Sequence, residues 1–503
     1  MNLSKNNLAK IQAEGSALSG KNIFELPEKI LQFGTGVLLR ALPDYFVDKA
    51  NRQGIFNGRI LVVKSTHTGD TDSFNNQDGL YTLSIRGMEG GNSIDEHIIC
   101  SAISRVLSAS HQWMELLESA ANAHMKVVIS NTTEVGIQLV KESIFQNPPA
   151  SFPAKLLAFL FERYKIFKGD SGAGMVIIPT ELLTENGKKL KSILNELAEF
   201  NKLAPAFIEW LNAHNRFCSS LVDRIVPGKP DPSAKEQLEL QWGYTDDLMS
   251  VCEPYSLWAI EGDESIRKVL SFYSVDEGVI ITPDITKYKE LKLRMLNATH
   301  TLSCGLAHLS GFQTVKAAME DDIFESYIEN LMMDEIGNAI PYTIDEKEIH
   351  EFGLRVLDRF RNPYLQHQWL SITMQYSSKL AMRVVPVLNK YYDLFKKPPE
   401  LITMGFAAYI LFMRPVKKES GRYYGILNNQ YYQINDDRAE HFYGLWDERS
   451  IDTIVTKILS NTELWTDDLT RLEGFAPSVS KKLKGFIRFG TMHEIAAYSK
   501  PVK

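Results

Sequence analysis

Lys29-Ile30-Leu31-Gln32-Phe33-Gly34-Thr35-Gly36-Val37-Leu38-Leu39-Arg40 (KILQFGTGVLLR) decides how this 503-residue chain reads. Lys29–Phe33 is a short apolar run of the kind that forms a buried strand. Glycines follow at 34 and 36, and apolar residues then recur at helical spacing from Val37 to about Arg52. Strand, glycine turn and helix make the outline of a dinucleotide site. The glycines let the backbone approach a pyrophosphate, and the helix N-terminus offers N–H groups and partial positive charge. An ordinary strand-to-helix turn shares that outline, and the third glycine of the full G-x-G-x-x-G pattern is Leu39 here. Phe33, Gly34, Thr35, Gly36 and Arg40 are the candidate cofactor-binding residues.

Working outward, Ile60–Val63 (ILVV), Val127–Ser130 (VVIS) and Met175–Ile178 (MVII) read as further strands. Helical stretches at Gln112–Ala123 and Ala154–Tyr164 separate them, the alternation of a parallel sheet built from βαβ units. From Lys287 onward helical periodicity dominates, through Lys287–Met319, Asp321–Glu335, Asp345–Phe360, Leu370–Lys390 and Leu401–Met413. The expected fold class is therefore α/β. A Rossmann-like dinucleotide-binding domain spans residues 1–285, and a mostly α-helical substrate-binding and catalytic domain spans 286–503. Pro283 breaks the chain near the join. A chain this long needs more than one core, since single cores seldom grow past roughly 250–300 residues.

Composition narrows the function. Hydrophobic residues make up 44% and charged residues 23%, and the net charge of -7 is spread without a basic block. That argues against a nucleic-acid or membrane-surface binder. No apolar run approaches the roughly 20 residues of a membrane helix, and Met1–Lys21 lacks the apolar stretch of a signal peptide. Cys100, Cys218, Cys252 and Cys304 are widely spaced, which fits reduced thiols and offers no metal-ligand spacing. A cytoplasmic protein without a metal site is expected, as a monomer or small homo-oligomer. At the end of the second strand Lys64-Ser65-Thr66 stands where an acid would hold a ribose 2′-hydroxyl and repel a 2′-phosphate, so these residues alone leave NAD versus NADP open.

The chemistry sits in Glu290-Leu291-Lys292-Leu293-Arg294-Met295-Leu296-Asn297-Ala298-Thr299-His300. On a regular α-helix His300 lies about 80°, and Asn297 about 140°, around the axis from Lys292, so all three can face one cleft. A lysine whose pKa burial has lowered can supply a proton, and an amide and an imidazole can fix a carbonyl oxygen. Singly, each has an ordinary alternative as a surface charge, a helix–helix contact or a core histidine.

K-x-x-x-x-N-x-x-H directly after a Rossmann-like domain resembles the signature of the mannitol dehydrogenase family. The opening Gln32–Gly36 with Leu39-Arg40-Ala41, the VDRIVP of Val222–Pro227, Glu253-Pro254 with Trp258, and Arg359-Phe360 with Asn362-Pro363 agree, in family order. The resemblance implies an oxidoreductase using a nicotinamide dinucleotide on a small sugar-type substrate, with Lys292 as general acid/base and Asn297 and His300 positioning the oxygen. Asn76–Leu83 (NQDGLYTL) and the histidine-free Leu38-Leu39-Arg40-Ala41 look most like members that interconvert tagaturonate and altronate. Fructuronate reductases and mannitol-type dehydrogenases are the alternatives, and a catalytically silent dinucleotide sensor is a more distant one. One family asparagine is absent, its place taken by Leu182. A keto-sugar acid carries a fixed carboxylate, and Lys379 with Arg383, four residues apart on one helical pattern, are its candidate partners; surface charges are the other reading of that pair.

Overall fold

Alternate residues of the buried strands divide between two cores, as the two-residue period of a strand demands. Ile30, Ile60, Val62, Val127 and Ile129 enter one core, while Leu31, Phe33, Leu61, Val63 and Val128 enter the other. A strand covered on both faces must be apolar throughout, which is why ILVV and VVIS read as unbroken runs. The computed structural model describes residues 1–11, 23–66, 71–132 and 136–498.

Six strands form the central sheet: β1 (Glu28–Phe33), β2 (Arg59–Lys64), β3 (Ile103–Ser108), β4 (Val127–Ser130), β5 (Val176–Pro179) and β6 (Arg216–Phe217). They lie side by side in the order β3-β2-β1-β4-β5-β6, every neighbouring pair parallel. This is the strand order of a dinucleotide-binding sheet, and its direction of winding reverses between β1 and β4. Helices Phe152–Ile166 and Asn186–Phe200 cover one face with Leu156, Phe159, Leu160, Leu190, Leu194 and Leu197. Helix Pro43–Arg52 brings Phe46, Val47 and Ala50 to the other.

The chain divides into two compact units, Met1–Arg86 with Ser93–Ile285, and Gly87–Asn92 with Thr286–Lys503. The second is mostly helical. Helix Glu400–Phe412 is buried on nearly every side, and Gly405 gives it room to lie against Leu302 of helix Thr299–Leu309. No helix among the described residues is long and apolar enough to cross a membrane.

Several elements differ from the sequence expectation. The helix read from Val37 to Arg52 is two, Val37–Ala41 and Pro43–Arg52, broken at Leu42 because Pro43 has no N–H to continue the ladder. The run Leu370–Lys390 is three helices, Trp369–Ile372, Tyr376–Arg383 and Val385–Phe395, interrupted where Gln375 takes φ +51°. The long helix from Lys287 opens into a π-helical turn over Lys292–Ala298. Strands are not confined to the first unit: Lys417–Glu419, Arg422–Leu427 and Gln430–Ile434 form an antiparallel meander.

Gly34 marks the tightest backbone approach at the point of reversal. Its φ is +130°, and a Cβ there would sit 2.9 Å from both the Asn131 carbonyl oxygen, just past β4, and Cδ1 of Leu39. A Cβ at Gly36 would meet nothing within 4 Å. Gly34→Ala is therefore expected to cost about 1–3 kcal/mol of stability through backbone strain. Gly36→Ala should leave the urea midpoint close to that of the parent.

Candidate active site

In the first unit the cofactor candidates separate by role. The Gly34 N–H donates to Val63 O at 3.0 Å and the Asn131 N–H to Phe33 O at 3.0 Å, pinning the turn to β2 and β4. Thr35 is half-buried and Gly36 exposed, and no side chain caps helix Val37–Ala41. An uncapped helix start beside a turn with glycine at both 34 and 36 suits a pyrophosphate, so Gly34, Thr35 and Gly36 fit a dinucleotide. Phe33 points into the core, its ring 5.1 Å from that of Phe152. Arg40 also points inward. Its Nη1 donates to the Leu248 carbonyl, and its guanidinium lies over the rings of Phe74 and Tyr81 at 5.7 and 5.5 Å. Lys64 is buried and donates to the Thr66 carbonyl at 2.6 Å.

Two of the motifs brace this turn. Arg224 of VDRIVP donates through Nε to Glu253 O at 2.9 Å and through Nη1 to Ala41 O at 2.6 Å. The Ile225 N–H donates to the Glu253 carboxylate at 2.6 Å, and Trp258 stacks on Phe272 with centroids 5.7 Å apart. Leu182 is 59% exposed. Asn186 has its hydrogen-bonding capacity used by Pro179, Glu181, Gly187 and Ser220.

The second unit holds the other candidates. Lys292 and Asn297 are half-buried towards the two ends of the π-helical turn, and His300 is buried one turn further on. The sequence reading placed them on a regular α-helix; the wider π turn replaces those angular offsets. Such turns recur at functional sites because they displace side chains relative to the flanking helix. Arg294, on the same turn, is tied by Nη1 to the carbonyls of Met382 and Arg383 at 2.9 and 2.7 Å and by Nε to Glu290 at 2.9 Å.

The His300 ring stacks on Phe360 at 4.2 Å and 13°, with His367 and Trp369 edge-on at 5.3 and 5.9 Å. Burial first, then the nearby His367, Arg359 and Arg383, hold its pKa well below the usual histidine value, so the ring is neutral at pH 7. Its Nε2 is buried and has no hydrogen-bond partner. Arg383 reaches the same region. Nη1 donates to Thr301 Oγ1 at 3.1 Å, and that hydroxyl donates to the Asn297 carbonyl at 2.7 Å. Arg383 Nε is buried and unpartnered. Lys379, half-buried on the same short helix, donates to Ile372 O at 3.1 Å, and burial followed by Arg383 lowers its pKa. The two cations thus share a partly desolvated environment that no solvated face would give them. Among the described residues no group of three or more His, Cys, Asp or Glu is placed to hold a metal ion.

Thr301, Phe360 and His367 were not among the site residues expected from sequence. Phe360 alone had a signal, as the second residue of the Arg359-Phe360 motif. The hydroxyl link from Arg383 to Asn297 depends on two helices meeting, which no local pattern announces.

A model of the mannitol dehydrogenase Rossmann domain matches residues 28–272, and a model of the mannitol dehydrogenase C-terminal domain matches residues 284–487. The chain belongs to the mannitol dehydrogenase family and is an oxidoreductase acting on CH–OH groups. Within the family it is similar to altronate oxidoreductases. That of Halalkalibacterium halodurans is 36% identical over 94% of this chain and 93% of its own length. That of Bacillus subtilis is 35% identical over 95% and 97%. Two solved structures share the fold. Pseudomonas fluorescens mannitol 2-dehydrogenase, a ternary complex with NAD and D-mannitol, aligns over 100% of both chains with a TM-score of 0.69 and 22% identity. A D-sorbitol dehydrogenase in substrate-free form covers 98% of this chain and 100% of its own, with a TM-score of 0.79 and 20% identity.

Proposed function

We propose that this protein interconverts D-tagaturonate and D-altronate in the cytoplasm, with NAD(H) and without a metal ion. The observation that carries the reading is the partly unpaired group formed by the neutral His300 and the cations Lys379 and Arg383. His300 Nε2 and Arg383 Nε are buried without a partner, which costs about 1–3 kcal/mol each, and ligand atoms bonded to them would offset that cost. A sugar acid offers both atoms such a cluster needs, a carbonyl oxygen and a carboxylate. The name of the 35–36% identical relatives, altronate oxidoreductase, supports the altronate half of this reading.

In this reading Arg383 and Lys379 hold the carboxylate, and an uncharged polyol would leave them unmet. Asn297 and the neutral His300 hydrogen-bond the oxygen, and Lys292 gives it a proton as the carbon is reduced. In the other direction Lys292 takes that proton back. Bound NAD(H) supplies the two-electron chemistry, and the protein supplies orientation and charge. The buried, unpaired thiols of Cys100, Cys218, Cys252 and Cys304 suit a reducing compartment.

Replacing Lys292 with Met should lower turnover by roughly 10²–10⁴-fold, the usual contribution of a positioned proton donor, with NADH affinity nearly unchanged. Near-parent turnover would remove Lys292 from the mechanism. Arg383→Ala should weaken kcat/KM for a keto-sugar acid by about 1.5–3 kcal/mol, the worth of a charge-assisted hydrogen bond, and spare an uncharged ketose. The ratio of the two constants isolates the carboxylate from general damage, and equal losses on both would make Arg383 structural.

A further inference from the structure

Beneath the glycine turn lies a carboxyl group that the proposed reaction does not use. Asp44, second residue of helix Pro43–Arg52, is fully buried. Its Oδ2 accepts from Gln32 Nε2 at 3.3 Å, and the same amide nitrogen donates to the Gly34 carbonyl at 3.4 Å. Gln32 therefore bridges the acid to the turn. The hydrogen-bond accounting is one donor short. Asp44 Oδ1 and Gln32 Oε1 are both buried acceptors without a partner. Arg40 does not supply the donor: its Nη1 goes to Leu248 O, its guanidinium lies over the rings of Phe74 and Tyr81, and its Nε is itself without a partner.

A carboxylate only accepts, whereas a carboxylic acid also donates once. A neutral acid beside a primary amide can thus make a hydrogen bond in each direction. We propose that Asp44 is a positioning residue carried as the neutral acid, paired with Gln32 so as to shape the Gly34 turn for a dinucleotide. Ionisation of Asp44 opens the pair, puts a negative charge under the pyrophosphate turn and weakens binding. This inference rests on the reading of that turn as the cofactor site.

Desolvation pushes the Asp44 carboxyl up to about 8, against the weaker opposing pulls of Gln32 and Arg40. Other titratable groups pack around it, and burial raises the Asp246 carboxyl as well. Tyr81 of strand Tyr81–Glu89 and Cys100 of strand Asn92–Cys100 are held well above their ordinary values by burial. Asp48, one turn along, is bonded to Arg52, the Ser101 N–H and the Ser101 hydroxyl. Asp246 accepts from Gln77 and from the Leu248 N–H, and Arg224 is occupied by Ala41 O and Glu253 O. Because the folded state raises the Asp44 pKa above its unfolded value, its contribution to stability is complete below the unfolded pKa and is lost as pH rises through about 8.

The test is NADH affinity by fluorescence titration of the whole protein and of Asp44→Asn, whose amide is a permanent donor. If only the neutral acid supports binding, the parent Kd should loosen about tenfold between about pH 7 and about pH 9. The Asp44→Asn protein should bind as tightly as the parent at the lower pH and lose that dependence. A flat parent profile, or an equal loosening in both proteins, overturns the proposal. Urea midpoints without cofactor form the second arm: the parent should lose stability relative to Asp44→Asn over the same range, and parallel profiles contradict a neutral Asp44. If the Asn variant does not fold, the parent's own Kd profile decides. Absence of NADH binding at every pH defeats the cofactor reading, while the urea comparison still decides the proton.

Discussion

Desolvation of polar nitrogens that the protein does not itself satisfy is the constraint on which the helical unit depends. His300 Nε2 and Arg383 Nε are buried without partners among the described residues, and each such atom costs free energy that the surrounding packing has to offset. The offset comes from helix Glu400–Phe412, buried along almost its whole length and drawn against Thr299–Leu309 at Gly405. The same burial keeps the His300 imidazole neutral and lowers the pKa of Arg383. Packing and chemistry are therefore one arrangement: the helix that carries His300 is held by apolar contact on one side and left polar and unpaired on the other.

The first unit uses its backbone where the second uses side chains. Gly34 lies so close to Asn131 O that no side chain fits, and the reversal of strand order between β1 and β4 leaves an opening at the carboxyl ends of those strands. Arg224 and Glu253, distant in sequence, tie the carbonyl of Ala41 beneath the turn. The motifs quoted from the sequence are thus of two kinds. VDRIVP and Glu253-Pro254 brace the fold, whereas Lys292, Asn297 and His300 carry groups suited to a reacting oxygen.

Much of this was legible because its cause is local. A strand covered on both faces has to be apolar, so β1, β2 and β4 stand out in the sequence, and Gly34 had to be glycine. The π turn at Lys292–Ala298 was not legible, since the apolar spacing around it also suits an α-helix and only the packed context selects the wider turn. The break at Gln375 was equally hidden, because a non-glycine residue at φ +51° has no sequence mark. The meander of Lys417–Ile434 was missed because two-residue alternation is weak over strands of three to six residues. The inward direction of the Arg40 side chain, with its guanidinium bonded to Leu248 O and lying over two aromatic rings, has no local mark in the sequence either.

The central claim is that a carboxylate-bearing ketose is the substrate, recognised by Lys379 and Arg383. Initial rates of NADH oxidation by the purified protein with tagaturonate, fructuronate and fructose test it most directly. The account predicts the highest kcat/KM for tagaturonate and the lowest for uncharged fructose. Fructose turned over as efficiently as tagaturonate, or no turnover with either keto-sugar acid, would contradict it.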